Sequence, residues 1–269
     1  MITVTKEVET LEKVKQQAEE WIREAALYIK KEMKGSFAVN TKAHQHDLVT
    51  DVDKNVEAFF LEKLSETFPT HRLMGEEGSF EQIKDLSGIV WILDPIDGTI
   101  NFVHQESNFA ISIGIFLEGE PIIGFVYDVM RDELFSSFKG NGAYLNGEPL
   151  PKLPKNALNE SILSFNAGWM LKDRRLEKLV HSSRGIRSYG VAALEMAYVA
   201  SGRLDAYISF NLAPWDIAGG YALLQEVGGK ATNFRGEALN FLEKDTLIAA
   251  NPWIHDEIIN TIYNQDNKQ

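Results

Sequence analysis

Asp94 and Asp97 stand three residues apart at the end of an apolar run, in the order Trp91-Ile92-Leu93-Asp94-Pro95-Ile96-Asp97-Gly98-Thr99. Two carboxylates on a rigid turn at a strand end make a poor core and a good seat for a divalent cation. Further acids stand at other junctions: Asp47, Asp51 and Asp53 before a helical stretch, Glu76 and Glu77 between Gly75 and Gly78, and Asp216 after Pro214-Trp215. At such positions a rigid scaffold aims side chains without burying them. Singly, each has an ordinary structural reading. Asp53 and Asp216 suit helix caps, Asp97-Gly98 suits a turn, and Glu76-Glu77 suits a solvated loop. Together they read differently. Where such carboxylates converge, each close pair costs about 4 kcal/mol of repulsion at about 4 Å and an effective dielectric of roughly 20. A cluster of this kind holds only with bound cations or raised carboxyl pKa values. All-oxygen donors in a chain without cysteine select a hard ion, Mg²⁺ first and Mn²⁺ second.

The elements that position these acids are read from periodicity. Leu11, Val14, Ala18, Trp21, Ile22, Ala25 and Ile29 recur at helical spacing, predicting a long amphipathic helix over 10 to 33, ended by Gly35 and Ser36. Val56, Phe59, Phe60 and Leu64 form a second helical face closed by Pro69, with Asp53 in its first turn. The run 89 to 93 reads as a strand buried on both faces, and 109 to 117 with 122 to 129 as a hairpin. Strands over 134 to 138 and 143 to 145 continue that sheet. Gly140-Asn141-Gly142 and Asn146-Gly147 are its turns. Pro149, Pro151 and Pro154 mark a boundary between two lobes of a single domain, about 1–150 as a metal-binding N-terminal lobe and 151–269 as a C-terminal lobe. Beyond it, strands near 161 to 165, 204 to 210 and 246 to 250 alternate with helices near 172 to 182, 191 to 201, 216 to 227 and 252 to 263. The class is mixed α/β in layers.

Composition excludes several roles. The chain has 269 residues, 44% hydrophobic and 25% charged, with a net charge of -12. That balance argues against nucleic acid or an anionic membrane as partner. Without cysteine there is no disulfide framework and no thiol nucleophile. No signal-peptide pattern opens the chain and no apolar stretch reaches membrane-spanning length, so a cytoplasmic protein is expected. His44 and His46 alternate ahead of a strand or turn and are not read as a metal pair.

These motifs resemble the inositol monophosphatase family of metal-dependent, lithium-sensitive phosphatases. Asp94-Pro-Ile-Asp97-Gly-Thr99-Ile-Asn101-Phe102 is similar to its first signature and Trp215-Asp216-Ile-Ala-Gly-Gly220 to its second. Gly75-Glu76-Glu77 and Asp47-Leu-Val-Thr-Asp-Val-Asp53 fall where the family has its upstream acids, so the likeness runs over about 10 to 262. It implies a layered αβαβα sandwich, a homodimer, and hydrolysis of inositol 1-phosphate or a related small phosphate ester by metal-activated water. Carried over residue by residue, it assigns Glu76, Asp94 and the Ile96 carbonyl to one Mg²⁺, and Asp94, Asp97 and Asp216 to a second. Glu76 would share in a third, weaker site. Asp53 and Thr99 would orient and deprotonate the attacking water. The Gly98 and Thr99 amides and Lys42 would meet the phosphate, and Gly190, Val191 and Ala192 the leaving alcohol.

Ser209 departs from that pattern. Inositol-specific members usually carry a glutamate there, seven residues before Asp216, to bind ring hydroxyls. A serine cannot accept the same charge-assisted pair of hydrogen bonds, a loss of about 1.5 to 3 kcal/mol of selectivity. The alternatives therefore widen to the 2′-phosphate of NADP, fructose 1,6-bisphosphate and 3′-phosphoadenosine compounds. A reading from another class is a non-catalytic regulatory protein that keeps the fold. The intact set Asp53, Glu76, Asp94, Asp97, Thr99 and Asp216 counts against it.

Overall fold

The first half of the chain builds a seven-stranded sheet, a separate two-stranded one and the helices packed beside them. In the computed structural model, which describes residues 2–35, 37–41, 48–78 and 83–263, it runs α1 (Ile2–Glu32), β1 (Val39–Thr41), β2 (Leu48–Thr50), α2 (Asp51–Thr67), β3 (Arg72–Gly75), β4 (Ile89–Asp97) and α3 (Thr99–Gln105). Then come β5 (Ala110–Leu117), β6 (Glu120–Asp128), β7 (Glu133–Phe138), β8 (Gly142–Leu145) and β9 (Glu148–Pro149). Strands β3 to β9 lie side by side in chain order as a seven-stranded sheet, with β3 parallel to β4 and every later pair antiparallel. Asn146 and Gly147 both take positive φ at the β8–β9 turn, as a two-residue hairpin turn of matching twist requires.

The second half builds the other sheet. After a 3₁₀ turn at Leu158–Glu160 come β10 (Ile162–Ser164), α4 (Ala167–Lys172), α5 (Arg175–Ser182), β11 (Gly185–Arg187), α6 (Ala192–Ala200) and β12 (Ala206–Leu212). It ends with α7 (Pro214–Glu226), β13 (Lys230–Thr232), β14 (Asp245–Ala250) and α8 (His255–Tyr263). The five-stranded order is β11-β10-β12-β14-β13.

Period-two burial stacks these elements into five layers. Along β4, Trp91 and Leu93 face α1 and α2, meeting Val14, Trp21, Ile22, Val56 and Phe60. Val90 and Ile92 face the opposite way, towards Met196 and Val199 of α6 and Leu223 and Leu224 of α7. The far side of those two helices packs on Tyr207, Leu247 and Ala249 of the second sheet. Ile208 and Ile248, one residue out of phase, point outward to Leu176 and Leu179 of α5, to Ile254 just before α8 and to Ile258 within it. The result is an αβαβα sandwich. It explains why β4 reads as a continuous apolar run: both faces are covered.

Helix α7 lies unusually close to the first sheet. A Cβ on Gly219 would sit 2.5 Å from the Phe125 carbonyl oxygen, and one on Gly114 would sit 2.6 Å from the Ala218 Cβ. No other residue fits either position, and this seat sets the depth at which α7 presents its first turn.

Several boundaries differ from the periodic reading. Strand β4 does not stop at Leu93 but continues through Pro95 to Asp97, with a register shift between Asp94 and Asp97 against β5. The irregularity lets a proline sit inside a paired strand. The helix expected over 172 to 182 is two helices, α4 and α5, broken where the Asp173 carboxylate accepts the Arg175 amide at 3.0 Å. The short strands β1, β2, β3, β11 and β13 carry too few residues to show a period.

Candidate active site

Thr50 caps α2 with a capping box, its hydroxyl accepting the Val52 amide at 3.2 Å. In return Asp53 Oδ2 accepts the Thr50 amide at 2.9 Å and the Thr50 hydroxyl. The structural reading of Asp53 as a helix-start acid is therefore correct and incomplete. Its other oxygen, Oδ1, accepts the Thr99 hydroxyl at 3.3 Å across 46 residues of chain. Thr99 also reaches the Ile96 carbonyl at 3.1 Å. Burial pushes the Asp53 carboxyl up to about 6, against the pull of the Thr50 hydrogen bonds and with a small addition from the charge of Glu76.

The other acids arrive from three element ends. Asp94 is in β4, its Oδ1 accepting the Ile96 amide at 3.0 Å. Asp97 ends β4, and its Oδ2 accepts the Ala193 amide at 2.5 Å in the first turn of α6. Asp216 is the third residue of α7, and its Oδ2 accepts the Ala213 amide at 2.7 Å; Ala213 has no side-chain oxygen, so only half a capping box exists. Asp94, Asp97 and Asp216 each offer an oxygen within 4.8 Å of the others. Burial first, then mutual repulsion, raises Asp94 and Asp97 well above the usual carboxylate range. Glu76 repels Asp53, Asp94 and Asp97 alike, so it belongs to the same centre. Buried, convergent, mutually repelling oxygens fit a hard divalent cation.

Glu57 is a site residue that motif reading passes over. Its carboxylate accepts the Glu77 amide at 2.8 Å and lies over Gly75, where a Cβ would fall 2.2 Å from Glu57 Oε2. Gly75 thus makes room for the acid that shapes the Glu76 turn. The signal was present: Glu57 follows Asp53 by four residues, one helical turn along the same face.

Gly98, at φ +91, turns β4 into α3. A Cβ there would be strained and would meet Val191 Cγ2 at 2.8 Å. Val191 is fully buried behind this turn and supports it rather than bordering open space. Gly190, Ala192, Ser209 and Asp216 do border open space, in a cleft of about 240 Å³ that also reaches Asp97. Its remaining walls include Asn166, Trp169, Ser188, Glu195, Tyr207 and Asn211. Tyr207, Ser209 and Asn211 alternate along β12, so the place of Ser209 implied the other two. Volume alone does not mark this site: a hollow of about 480 Å³ between α1 and α2 contains none of the clustered acids. Lys42, His44, His46 and Asp47 lie outside the described residues.

A layered α/β sandwich that delivers clustered acids to one side of a hydroxyl- and amide-lined cleft suits the binding of divalent cations together with a small polar anion. Comparison with known proteins narrows this. Residues 10–267 match the model of the inositol monophosphatase family. Inositol-1-monophosphatase of Bacillus subtilis is 52% identical over 246 residues, covering 90% of this chain and 93% of that protein. Among solved structures, SaIMPase-II of Staphylococcus aureus with inositol monophosphate bound superposes with a TM-score of 0.84 at 41% identity, covering 93% of each chain. An IMPase/NADP phosphatase complexed with Mg²⁺ and phosphate gives a TM-score of 0.88 at 31% identity, covering 94% of this chain and 95% of that one. The chain belongs to the inositol monophosphatase family, and it is a phosphatase.

Proposed function

We propose that this enzyme hydrolyses inositol 1-phosphate, or a closely related small phosphate monoester, with direct attack by water. The observation that carries this is the convergence of Asp94, Asp97 and Asp216 within 4.8 Å, beside the bonded pair Asp53–Thr99. The S. aureus relative crystallised with inositol monophosphate supports the choice of ester. Glu76, Asp94, Asp97, Asp216 and the Ile96 carbonyl would hold two or three Mg²⁺, with Mn²⁺ as a substitute, and these ions supply charge neutralisation and an acidified water.

The chain's own residues do the rest. Asp53 and Thr99 would act together. Thr99 Oγ takes the proton lost by water as it passes its own to Asp53 Oδ1, a carboxyl of pKa about 6 and so a base at neutrality. Meanwhile the ester P–O bond breaks and the leaving alkoxide takes a proton from solvent. The backbone amides of Gly98 and Thr99 would receive phosphate oxygens, and the family pattern assigns Lys42 to the phosphate as well. Gly190, Ala192 and Ser209 border the leaving alcohol, while Val191 fixes the Gly98 turn from behind. No side chain becomes phosphorylated. The active form is a homodimer in the cytoplasm, with a small phosphorylated molecule as its partner. Each subunit is one domain of two lobes divided near residues 149 to 154, in keeping with sheets drawn separately from 72–149 and 162–250.

Phosphate release with Mg²⁺ from inositol 1-phosphate, NADP, fructose 1,6-bisphosphate and 3′-phosphoadenosine 5′-phosphate tests the reading, with Asp97→Asn as the blank. The expected result is preference for inositol 1-phosphate. Preference for a nucleotide or bisphosphate would move the substrate to that class. No Mg²⁺-dependent release from any of the four would favour the regulatory role.

A further inference from the structure

Asn101 belongs to the first signature, yet nothing in the chemistry above uses it. It lies in α3, two residues beyond Thr99, and is buried. Its Nδ2 donates to the Asn108 carbonyl at 2.9 Å and to the Tyr189 carbonyl, also at 2.9 Å. The second contact spans 88 residues and joins the helix beside the phosphate seat to the segment that borders the cleft.

Tyr189 is held from its other side as well. Glu195, in α6, accepts the Tyr189 amide on Oε1 at 3.1 Å, together with the Ser164 hydroxyl. Glu195 is only 2% exposed, and a carboxylate so buried is costly unless several donors face it. Here two donors do, the Ser164 hydroxyl and the Tyr189 amide, and the second belongs to the segment that carries Gly190. Gly190 follows in the left-handed region at φ +73, which glycine alone adopts without strain, and lines the cleft. A glycine in such a position has no side chain to hold it. Its direction is set by the peptide before it, and that peptide is gripped at the carbonyl by Asn101 and at the amide by Glu195.

We infer that Asn101 and Glu195 are positioning residues that fix the Tyr189–Gly190 backbone as the wall against which the leaving group packs; this rests on the phosphatase reading. Neither touches the reacting atoms. Because both hold the same residue, releasing either one frees the wall, and releasing the second adds little.

The test is a cycle of Asn101→Ala, Glu195→Met and the double variant. It reads kcat and KM for inositol 1-phosphate, the competitive inhibition constant of inorganic phosphate, and the melting temperature. Inorganic phosphate has no leaving group and reports on the phosphate seat alone. Each single variant should raise KM about tenfold, the scale of one lost hydrogen bond. The phosphate constant should stay within about twofold, and the double variant should stay near the worse single rather than reach about a hundredfold. Glu195→Met removes the acceptor and keeps a side chain of similar length, so it serves should Asn101→Ala fold poorly. An unchanged KM, a phosphate constant that rises in step with KM, or multiplying single effects would each overturn the inference. Failure of the phosphatase reading is seen separately, as absence of Mg²⁺-dependent turnover in the unsubstituted enzyme.

Discussion

The acid centre and the cleft beside it are assembled from different kinds of parts. Asp53, Asp94, Asp97 and Asp216 each give one oxygen to a backbone amide: Thr50, Ile96, Ala193 and Ala213 respectively. Three of those anchors lie within three residues of the acid, so the turn that carries the carboxylate also aims it. The cleft has no such local logic. Asn166 precedes α4, Ser188 and Gly190 follow β11, Glu195 is in α6, and Tyr207, Ser209 and Asn211 stand along β12. Its walls exist only after the second sheet has formed. Local aiming gives the centre a fixed geometry, and, on the proposed role of the cleft, distributed walls let the choice of alcohol vary without disturbing it.

The comparison is broken most severely by removing an acid. Asp94→Asn keeps an oxygen for the Ile96 amide but removes the buried charge. Mg²⁺-dependent phosphate release should fall to the level of the blank. Stability should move the other way, with a sign that follows from linkage. The folded state raises the Asp94 pKa, so this group's contribution is full below its ordinary value of 3.8 and is lost as pH rises through the folded value. Metal-free Asp94→Asn should therefore melt several degrees above the metal-free parent at pH 8, and the gap should close towards pH 4. A variant no more stable than the parent at pH 8 would show that the charges are already neutralised by some other group.

A smaller effect sharpens the other half. Ser209→Glu places a carboxylate in the cleft wall and leaves the four anchored acids untouched. The ratio of kcat/KM for inositol 1-phosphate over NADP should rise about tenfold, from hydrogen bonds to a charged group and repulsion of the added anion. An equal change for both esters would mean that the cleft does not sort leaving groups.

The same contrast explains what was legible in the chain. Asp94 and Asp97 announced themselves because a strand long enough to read ended on them, and Asp216 because a proline and an apolar helix followed a strand. The alternation of strands and helices gave a mixed α/β class in layers, and the αβαβα order came from the family resemblance. The cleft was only glimpsed. Gly190, Ala192 and Ser209 came from resemblance, and Val191, taken with them, proves to be buried behind Gly98. Trp169 was hidden by a helix boundary misplaced at 172, since α4 begins at Ala167 and its tryptophan stacks on Phe210 with ring centres 5.1 Å apart. The Asn101–Tyr189 contact leaves no trace in local pattern, because a hydrogen bond across 88 residues has no period. Glu57 is the exception, a long-range contact whose four-residue spacing from Asp53 was in plain view.

The central claim is that Asp53 and Thr99 act on the attacking water while the clustered acids hold the cations. The most direct measurement is Thr99→Ala, with phosphate release and Mg²⁺ binding by titration calorimetry measured on the same preparation. The account predicts a rate about 10² to 10⁴ lower, the range for losing general acid–base assistance, with Mg²⁺ affinity within a few-fold of the parent. Mg²⁺ binding that collapses together with the rate would contradict it, since Thr99 would then be building the cation site rather than serving the water.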